Sequence, residues 1–501
     1  MLLAELVEAS AVVGATRSRL EKVERIAAVL GRLSPGEVAP GVAFLSGELR
    51  QRQIGVGWAG LRDLPAPAAS ASLTVAEVDA EFERIGSLAG PGSQAGRREA
   101  LAALFARATA PEDEFLRRLI GGELRQGALE GVMVQALARA AGAGPAAVQR
   151  AFMLRGDLAA VAEAALGEGP AALERFRLEV GRPVRPMLAR PARDVAEAVG
   201  SLGEAAIEWK LDGARVQIHR RDDEVRVYTR SLDDVTARVP EIVDAALALP
   251  VSAVVLDGEA IALREDGRPE PFQVTSSRFA RTQEKEVPLG LFVFDVLHAG
   301  GEDVLDRPSA ERAALLAELV PEAKRTPRGV VSAAGAAQAF LDDAIARGHE
   351  GVVLKALDQP YVAGGRGTGW LKVKPVHTLD LVVLAAEWGH GRRRGWLSNL
   401  HLGARDPSKD AFVMLGKTFK GLTDEMLAWQ TGRLLELEAA REDRIVHVRP
   451  ELVVEIAFDG VQTSRRYPGG VALRFARVLR HRPDKSAAEA DTLDAVLSLR
   501  G

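Results

Sequence analysis

The chain reads Glu208-Trp209-Lys210-Leu211-Asp212-Gly213-Ala214-Arg215 at the point that decides its fold. Side chains alternate faces along an extended strand, so Glu208, Lys210 and Asp212 share one face, with Trp209 and Leu211 on the other. Gly213 lets the backbone turn closely past a ligand. A lone lysine on a strand is ordinarily a solvated edge residue. This one is flanked by acids and followed by Asp-Gly and Arg, in a chain with 11 lysines against 54 arginines. Arg stays protonated near neutrality, whereas Lys can lose its proton and attack an electrophile. Clustered lysines in such a chain mark work that Arg cannot do.

More such elements follow in order. Thr229-Arg230-Ser231-Leu232-Asp233-Asp234 offers Arg230 to a phosphate. Leu256-Asp257-Gly258-Glu259 ends a strand, with Asp257 and Glu259 on one face, suited to a ribose hydroxyl or a hard metal. Leu291-Phe292-Val293-Phe294-Asp295 puts aromatics at strand spacing, a pattern that also suits an ordinary core. Glu350-Gly351-Val352-Val353-Leu354-Lys355 and Trp370-Leu371-Lys372-Val373-Lys374 come next; Lys372 and Lys374 share a strand face where both can meet a triphosphate. Arg482-Pro483-Asp484-Lys485 closes the series. Five of the 11 lysines (Lys210, Lys355, Lys372, Lys374 and Lys485) fall in these elements, a concentration that a solvated surface does not predict.

Taken together the motifs resemble those of covalent nucleotidyltransferases: ATP-dependent DNA ligases, RNA ligases and mRNA capping enzymes. Ala43-Phe44-Leu45-Ser46-Gly47-Glu48-Leu49, Gln53-Ile54-Gly55-Val56-Gly57-Trp58, Pro271-Phe272-Gln273-Val274 and Leu415-Gly416-Lys417 favour the three-domain ATP-dependent DNA ligases. NAD-dependent ligases resemble the core too, but carry a four-cysteine zinc module, and this chain has no cysteine. The resemblance implies an all-α N-terminal DNA-binding domain (1–180), an α+β nucleotidyltransferase (ATP-grasp-like ligase) core (181–375) and a C-terminal OB-fold β-barrel (376–501).

The resemblance also implies a reaction. Lys210 would attack the α-phosphate of ATP, pass AMP to the 5′-phosphate at a nick in duplex DNA, and let the 3′-hydroxyl expel it. Glu208 and Phe294 would position adenine; Arg215 and Arg230 would engage ribose or phosphate. Lys355, Lys372, Lys374 and Arg366 would complete the nucleotide site, and Arg482 and Lys485 would help expel pyrophosphate. Glu259 and Glu350 would contact Mg²⁺ (Mn²⁺ as a substitute) or ribose. Arg482 and Lys485 lie more than 100 residues from the core strands, so two arrangements hinged near Lys374–Asp380 are expected.

The texture along the chain agrees. Residues 1 to about 180 read as helical, with Leu101, Leu104, Phe105 and Ala108 at helical spacing and loops at Pro65–Ala71 and Gly90–Gly96. Gly47-Glu48-Leu49-Arg50-Gln51 recurs as Gly122-Glu123-Leu124-Arg125-Gln126, either by chance in a biased composition or as two halves offering a loop and helix end to a phosphate. Val180–Pro191 reads as a linker. Strands are expected at Ala206–Ile218, Val225–Thr229, Ala253–Leu256, Leu291–Val296 and Gly351–Lys355, then at Leu381–Ala385, Leu400–Gly403, Phe412–Leu415 and Leu452–Phe458.

The formal net charge is −4, so phosphate binding must rest on local clusters. Residues 1–180 hold 20 basic against 22 acidic side chains, which confines any DNA contact there to one face, with Arg50 and Arg125 as candidates. Arg392-Arg393-Arg394 and the stretch from Arg465 and Arg466 to Lys485, with seven basic residues against one acid, suit phosphate tracking with little base readout. Exposed basic runs are also often plain solvated faces.

Several classes are excluded or disfavoured. The N-terminus carries acids and no basic n-region, and no apolar run reaches membrane-spanning length, so a cytoplasmic chain is expected; the resemblance implies a nucleoid-associated monomer of a bacterial or archaeal-type cell, working in replication, repair or recombination. A sliding-clamp partner is not readable. Gly416-Lys417-Thr418 echoes a phosphate loop but has Ala411 where glycine is required. Gly365–Gly369 precedes a strand rather than a helix, unlike a dinucleotide loop. The eight histidines show no metal-ligand spacing. Two alternatives stay open: an RNA ligase or capping-type guanylyltransferase, and an inactive DNA-end-binding protein.

Overall fold

The computed structural model describes all residues except 125–129, 281–286, 363–368 and 500–501. Among these, no strand precedes Arg190; nine α-helices run from Leu3–Ala15 to Leu158–Gly167. The helix Val75–Ser87 shows why. Thr74 Oγ1 accepts from the Glu77 backbone N–H at 3.2 Å, and Glu77 Oε2 accepts from the Thr74 N–H at 2.8 Å, a reciprocal cap. Val75, Val78, Phe82 and Ile85 then recur at helical spacing and are buried. Leu101, Leu104 and Phe105 bury from the helix Ser93–Phe105, while Ala108 is buried just beyond it. That helix takes up part of the stretch read as the loop Gly90–Gly96.

The repeated Gly-Glu-Leu segments both follow a helix, Val38–Ser46 and Ala110–Ile120, with Gly47 at φ +78° and Gly122 at φ +67°. They also touch: a Cβ on Gly47 would stand 2.8 Å from the Leu124 carbonyl oxygen. The helix ends they close are carboxyl ends, whose partial charge is negative. A helix dipole therefore cannot serve a phosphate there, which corrects that part of the reading; loop N–H groups and side chains remain.

The segment read as a linker is anchored. Val184 N–H donates to Gln217 Oε1 at 2.7 Å, Met187 N–H to Tyr361 Oη at 2.9 Å, and both side chains are buried. Met153 and Leu154 of the helical region pack with Leu178, Leu297 and Leu305 in one apolar cluster. The helical region is thus fastened to the next by core-like packing rather than by a loose tether.

Two sheets follow. One runs Arg190–Pro191, Trp370–Val373, Gly351–Ala356, Ala205–Lys210, Arg328–Val331; the other runs Glu224–Thr229, Ala214–Arg221, Ala253–Ala262, Leu289–Ala299, Glu302–Asp303. The run Ala206–Ile218, read as one strand, is two: Lys210 ends a strand of the first sheet and Ala214 begins a strand of the second. Leu211-Asp212-Gly213 carries the chain across. Gly213 is needed because a Cβ there would stand 2.5 Å from the Ala260 carbonyl oxygen. The close approach seen is to the neighbouring strand.

In the third region the strand His377–Trp388 pairs with Leu397–Asp406 along one edge, and in turn with Val453–Phe458 and Ile445–Val448 along the other. Serving two partners in succession curls the sheet around Leu400, Leu415 and Val446, closed by Leu427 and Leu434 of the helix Asp424–Glu436. Gly416-Lys417-Thr418 ends the strand Ala411–Thr418, with Lys417 paired to Glu387, so it is no phosphate loop.

Candidate active site

A cavity of about 760 Å³ opens where the two sheets meet. Lys210 lines it from the last position of its strand, and its ammonium pairs with Glu350. Lys374 pairs with the other oxygen of the same carboxylate, and Lys372 lines the cavity beside them. The backbone makes this crowding possible. Gly351 sits at φ +146°, and a Cβ there would stand 2.2 Å from the Val373 carbonyl oxygen, so only glycine lets the two strands approach this closely. Burial opposes the charge on Glu350, yet Lys210 and Lys374 outweigh it and hold the carboxyl below its usual range. Burial, then the like charges of Lys374 and Lys210, lower Lys372.

At the other end, Glu208 and Lys355 form a buried pair at 2.6 Å. Arg328 also donates to Glu208 at 2.6 Å, and Lys355 donates to the Phe294 carbonyl at 3.0 Å. Phe294 lines the cavity edge-on to Trp370, ring centroids 6.1 Å apart. An apolar wall with buried polar groups behind it suits a flat heterocycle. Glu259 lines the cavity as well; burial pushes its carboxyl up to about 7, against the pull of Lys210 and Arg215. Arg230 lines the rim with Thr229 and Ser231.

Arg215 lines the cavity, but protein groups already take much of its hydrogen bonding, and Asp257 behind it does not reach the cavity. Arg215 donates to both oxygens of Asp257 at 2.9 and 2.5 Å and to the Met187 carbonyl at 2.7 Å. Tyr361 Oη donates to Asp257 at 2.7 Å. Asp257 is fully buried and spent on these partners, so it is not the ribose or metal contact that strand alternation suggested.

Arg482 and Lys485 stand outside the cavity lining. Arg482 pairs with Asp380 at 3.0 Å and Asp484 at 2.7 Å, and Lys485 with Asp380 at 2.6 Å. The third region instead presents Asp459, Arg474 and Phe475 to the cavity, with Arg474 Nη1 2.6 Å from Asp212 Oδ2. Sequence reading missed these three; only the basic density from Arg465 onward pointed near them.

Among the candidate DNA contacts, Arg50 is held by Asp79 at 2.9 Å and Glu83 at 3.2 Å. Arg392 and Arg393 belong to the short turn Gly391–Arg393, which Arg394 follows; Arg393 donates to the Phe419 carbonyl. Arg465 and Arg466 are exposed. Arg125 and Arg366 lie outside the described residues.

Three family models match the chain: "DNA ligase N terminus" over residues 61–138, "ATP dependent DNA ligase domain" over 186–374 and "ATP dependent DNA ligase C terminal region" over 393–485. A "Probable DNA ligase" of Mycobacterium sp. (strain KMS) is 61% identical over 513 residues, 99% of each chain. Another, of Anaeromyxobacter dehalogenans (strain 2CP-C), is 60% identical over 512 residues, 100% of each. The solved structure called "Pmar-Lig_PreS3" covers 95% of this chain and 99% of its own, with TM-score 0.62 at 19% identity, a likeness of fold alone.

Proposed function

This chain belongs to the ATP-dependent DNA ligase family, and from that premise we propose how its own residues seal a nick. The observation that carries the reading is the triad of Lys210, Glu350 and Lys374 on the wall of one cavity, with Lys372 beside it.

ATP enters with adenine against Phe294, near the Glu208–Lys355 pair, and its phosphates toward Lys372, Lys374 and Arg230. Lys210, released from Glu350 as the neutral amine, attacks the α-phosphate in line; a P–N bond forms and pyrophosphate leaves. The cationic side chains stabilise negative charge building on the phosphoryl oxygens. The 5′-phosphate of the nick then takes AMP from Lys210, and the 3′-hydroxyl displaces AMP to close the strand.

The acidic side chains fit a divalent cation. Glu259 and Glu350 line the cavity, but no cluster of three or more His, Cys, Asp or Glu ligands exists among the described residues. That is the donor set of Mg²⁺, which takes one or two carboxylates together with substrate phosphates. When bound, the ion supplies charge neutralisation at the phosphate. Mn²⁺ meets the same hard-oxygen requirement.

Residues 1–180 serve as the helical DNA-binding domain, 181–375 as the nucleotidyltransferase and 376–501 as an OB-fold barrel. Arg392, Arg393, Arg394, Arg465 and Arg466 track phosphates. The third region works in two arrangements. With Arg474 on Asp212 and with Arg482 and Lys485 held by Asp380, the present one belongs to the DNA steps. The chain acts as a cytoplasmic monomer on duplex DNA; no described helix is long and apolar enough to cross a membrane.

The reading is tested by supplying labelled ATP or GTP, then nicked DNA or nicked RNA. Label from ATP alone, followed by closure of DNA, supports it. Label from GTP, or closure of RNA alone, would turn it toward the capping enzymes or RNA ligases.

A further inference from the structure

Lys210 pairs with Gly351 in the terminal rung of an antiparallel ladder, and Glu350 stands just outside it. The Glu350 N–H donates to the Lys210 carbonyl at 3.0 Å, and beyond it the strand ends and the chain crosses to the other sheet. The end of a ladder is where a sheet opens most readily. A nucleophile placed there needs something to hold the rung shut.

Trp209 and His349 are the residues directly before Lys210 and Glu350. Alternation turns Trp209 to the sheet face opposite Lys210, and His349, which lies just outside the partner strand Gly351–Ala356, meets it there. There the two rings stack, with centroids 4.6 Å apart and planes 32° from parallel. Trp209 packs against the apolar cluster that contains Ile207, Leu341 and Val352, and His349 is buried. The Arg347 guanidinium lies over the same indole at 5.4 Å and is itself fixed by Asp343 at 3.0 Å. His349 is tied to the helix before it through its N–H on the Ala344 carbonyl at 2.9 Å.

Simple filling of space does not account for these residues. Trp209 Nε1 and His349 Nδ1 are both buried without a hydrogen-bond partner, a cost that apolar side chains of similar size would avoid. What the two rings provide is a flat, rigid contact that ties the end of the Lys210 strand to the segment leading into Gly351–Ala356, next to the reacting pair.

We propose that Trp209 and His349 are positioning residues for self-adenylation, their stacked rings locking the last rung and so fixing the Lys210 amine in line with the α-phosphate. The proposal rests on Lys210 being the nucleophile. Arg347 is the outer support of the stack. Once AMP is on the DNA, Lys210 is no longer the attacking group, so the stack matters to the first step and not to the last.

The test compares His349→Leu, which keeps apolar volume but removes the ring, with His349→Phe, which restores a ring, in the full chain. The maximal rate of AMP transfer from ATP should fall about 10- to 100-fold in H349L, as a small misplacement of a reacting group costs. The ATP concentration for half-maximal rate and the closure of a pre-adenylated nick should be unchanged, and H349F should recover the first step. R347M, changed at an exposed position, should slow the first step alone, by about two- to fivefold, the worth of an exposed cation–π contact. The inference is overturned by a wild-type first step in H349L, by equal loss of the first and last steps, by no recovery in H349F, or, should H349L not fold, by an R347M variant of normal rate. K210A separates the two levels: if it still takes AMP, the nucleophile assignment fails; if it does not while H349L is normal, only the positioning role fails.

Discussion

Arg474 reaches across 262 residues of sequence to place its guanidinium 2.6 Å from the Asp212 carboxylate, two residues beyond Lys210. The pair joins the third region to the loop that carries the chain from one core sheet to the other. It therefore reports which face of the third region meets the cavity.

Replacing Arg474 by Ala should leave AMP transfer from ATP intact and slow closure of a pre-adenylated nick. The pair is partly screened by solvent and is worth about 1 kcal/mol, or about fivefold in rate. Single-turnover assays of the two steps, run separately, check the split; equal loss of both would contradict it.

Arg482 and Lys485 make the opposite prediction. Held by Asp380 outside the cavity, they take no part in the present arrangement. R482A and K485A should each slow AMP transfer from ATP by about 100-fold, the scale for losing a donor to a charged transition state, and leave pre-adenylated closure nearly unchanged. The same two assays decide.

Glu259 gives a pH dependence of stability. Its folded pKa of about 7 lies above the ordinary carboxyl value, so the folded chain binds the extra proton. The free protein should therefore lose stability as pH rises from about 4.5 to 7, by up to about 3 kcal/mol from this group. E259Q should be more stable than the parent at pH 8 and no more stable below pH ~4.5. Urea unfolding at the two pH values, without nucleotide or metal, measures this.

Gly351→Ala should destabilise the core by several kcal/mol, about 3 or more, because backbone rather than a flexible side chain blocks the new Cβ. AMP transfer should be lost with it, since the approach that brings Lys374 to Glu350 depends on that glycine. A thermal melt beside the transfer assay reads both.

Neutralising Arg465 and Arg466 should weaken DNA binding alike for every sequence and flatten its salt dependence, the slope falling by about one for each phosphate that is no longer neutralised. Titrations at several salt concentrations supply the slope. An unchanged slope would mark these arginines as a solvated face.

Much of the site is legible in the sequence because it is local. Strand alternation puts Lys210 and Glu208 on the cavity side and turns Lys372 and Lys374 toward the same cavity, and the helical spacing of Leu101, Leu104 and Phe105 marks the first region. What fails to show depends on distant partners. Nothing near Asp257 tells that Arg215 and Tyr361 will take both its oxygens. Nothing around Lys210 tells that Gly213 will be pressed against Ala260 and end the strand early. Arg482 and Lys485 are readable by motif, but which face they occupy depends on how the third region sits, and Asp380 decides that only in three dimensions.

The central claim is that one amine carries the adenylate. Mass spectrometry of the protein after exposure to ATP and Mg²⁺ should find a single added AMP on the peptide holding Lys210, lost again when nicked duplex DNA is supplied. AMP on a different residue, or an unmodified Lys210 in protein that still closes nicks, would contradict the account.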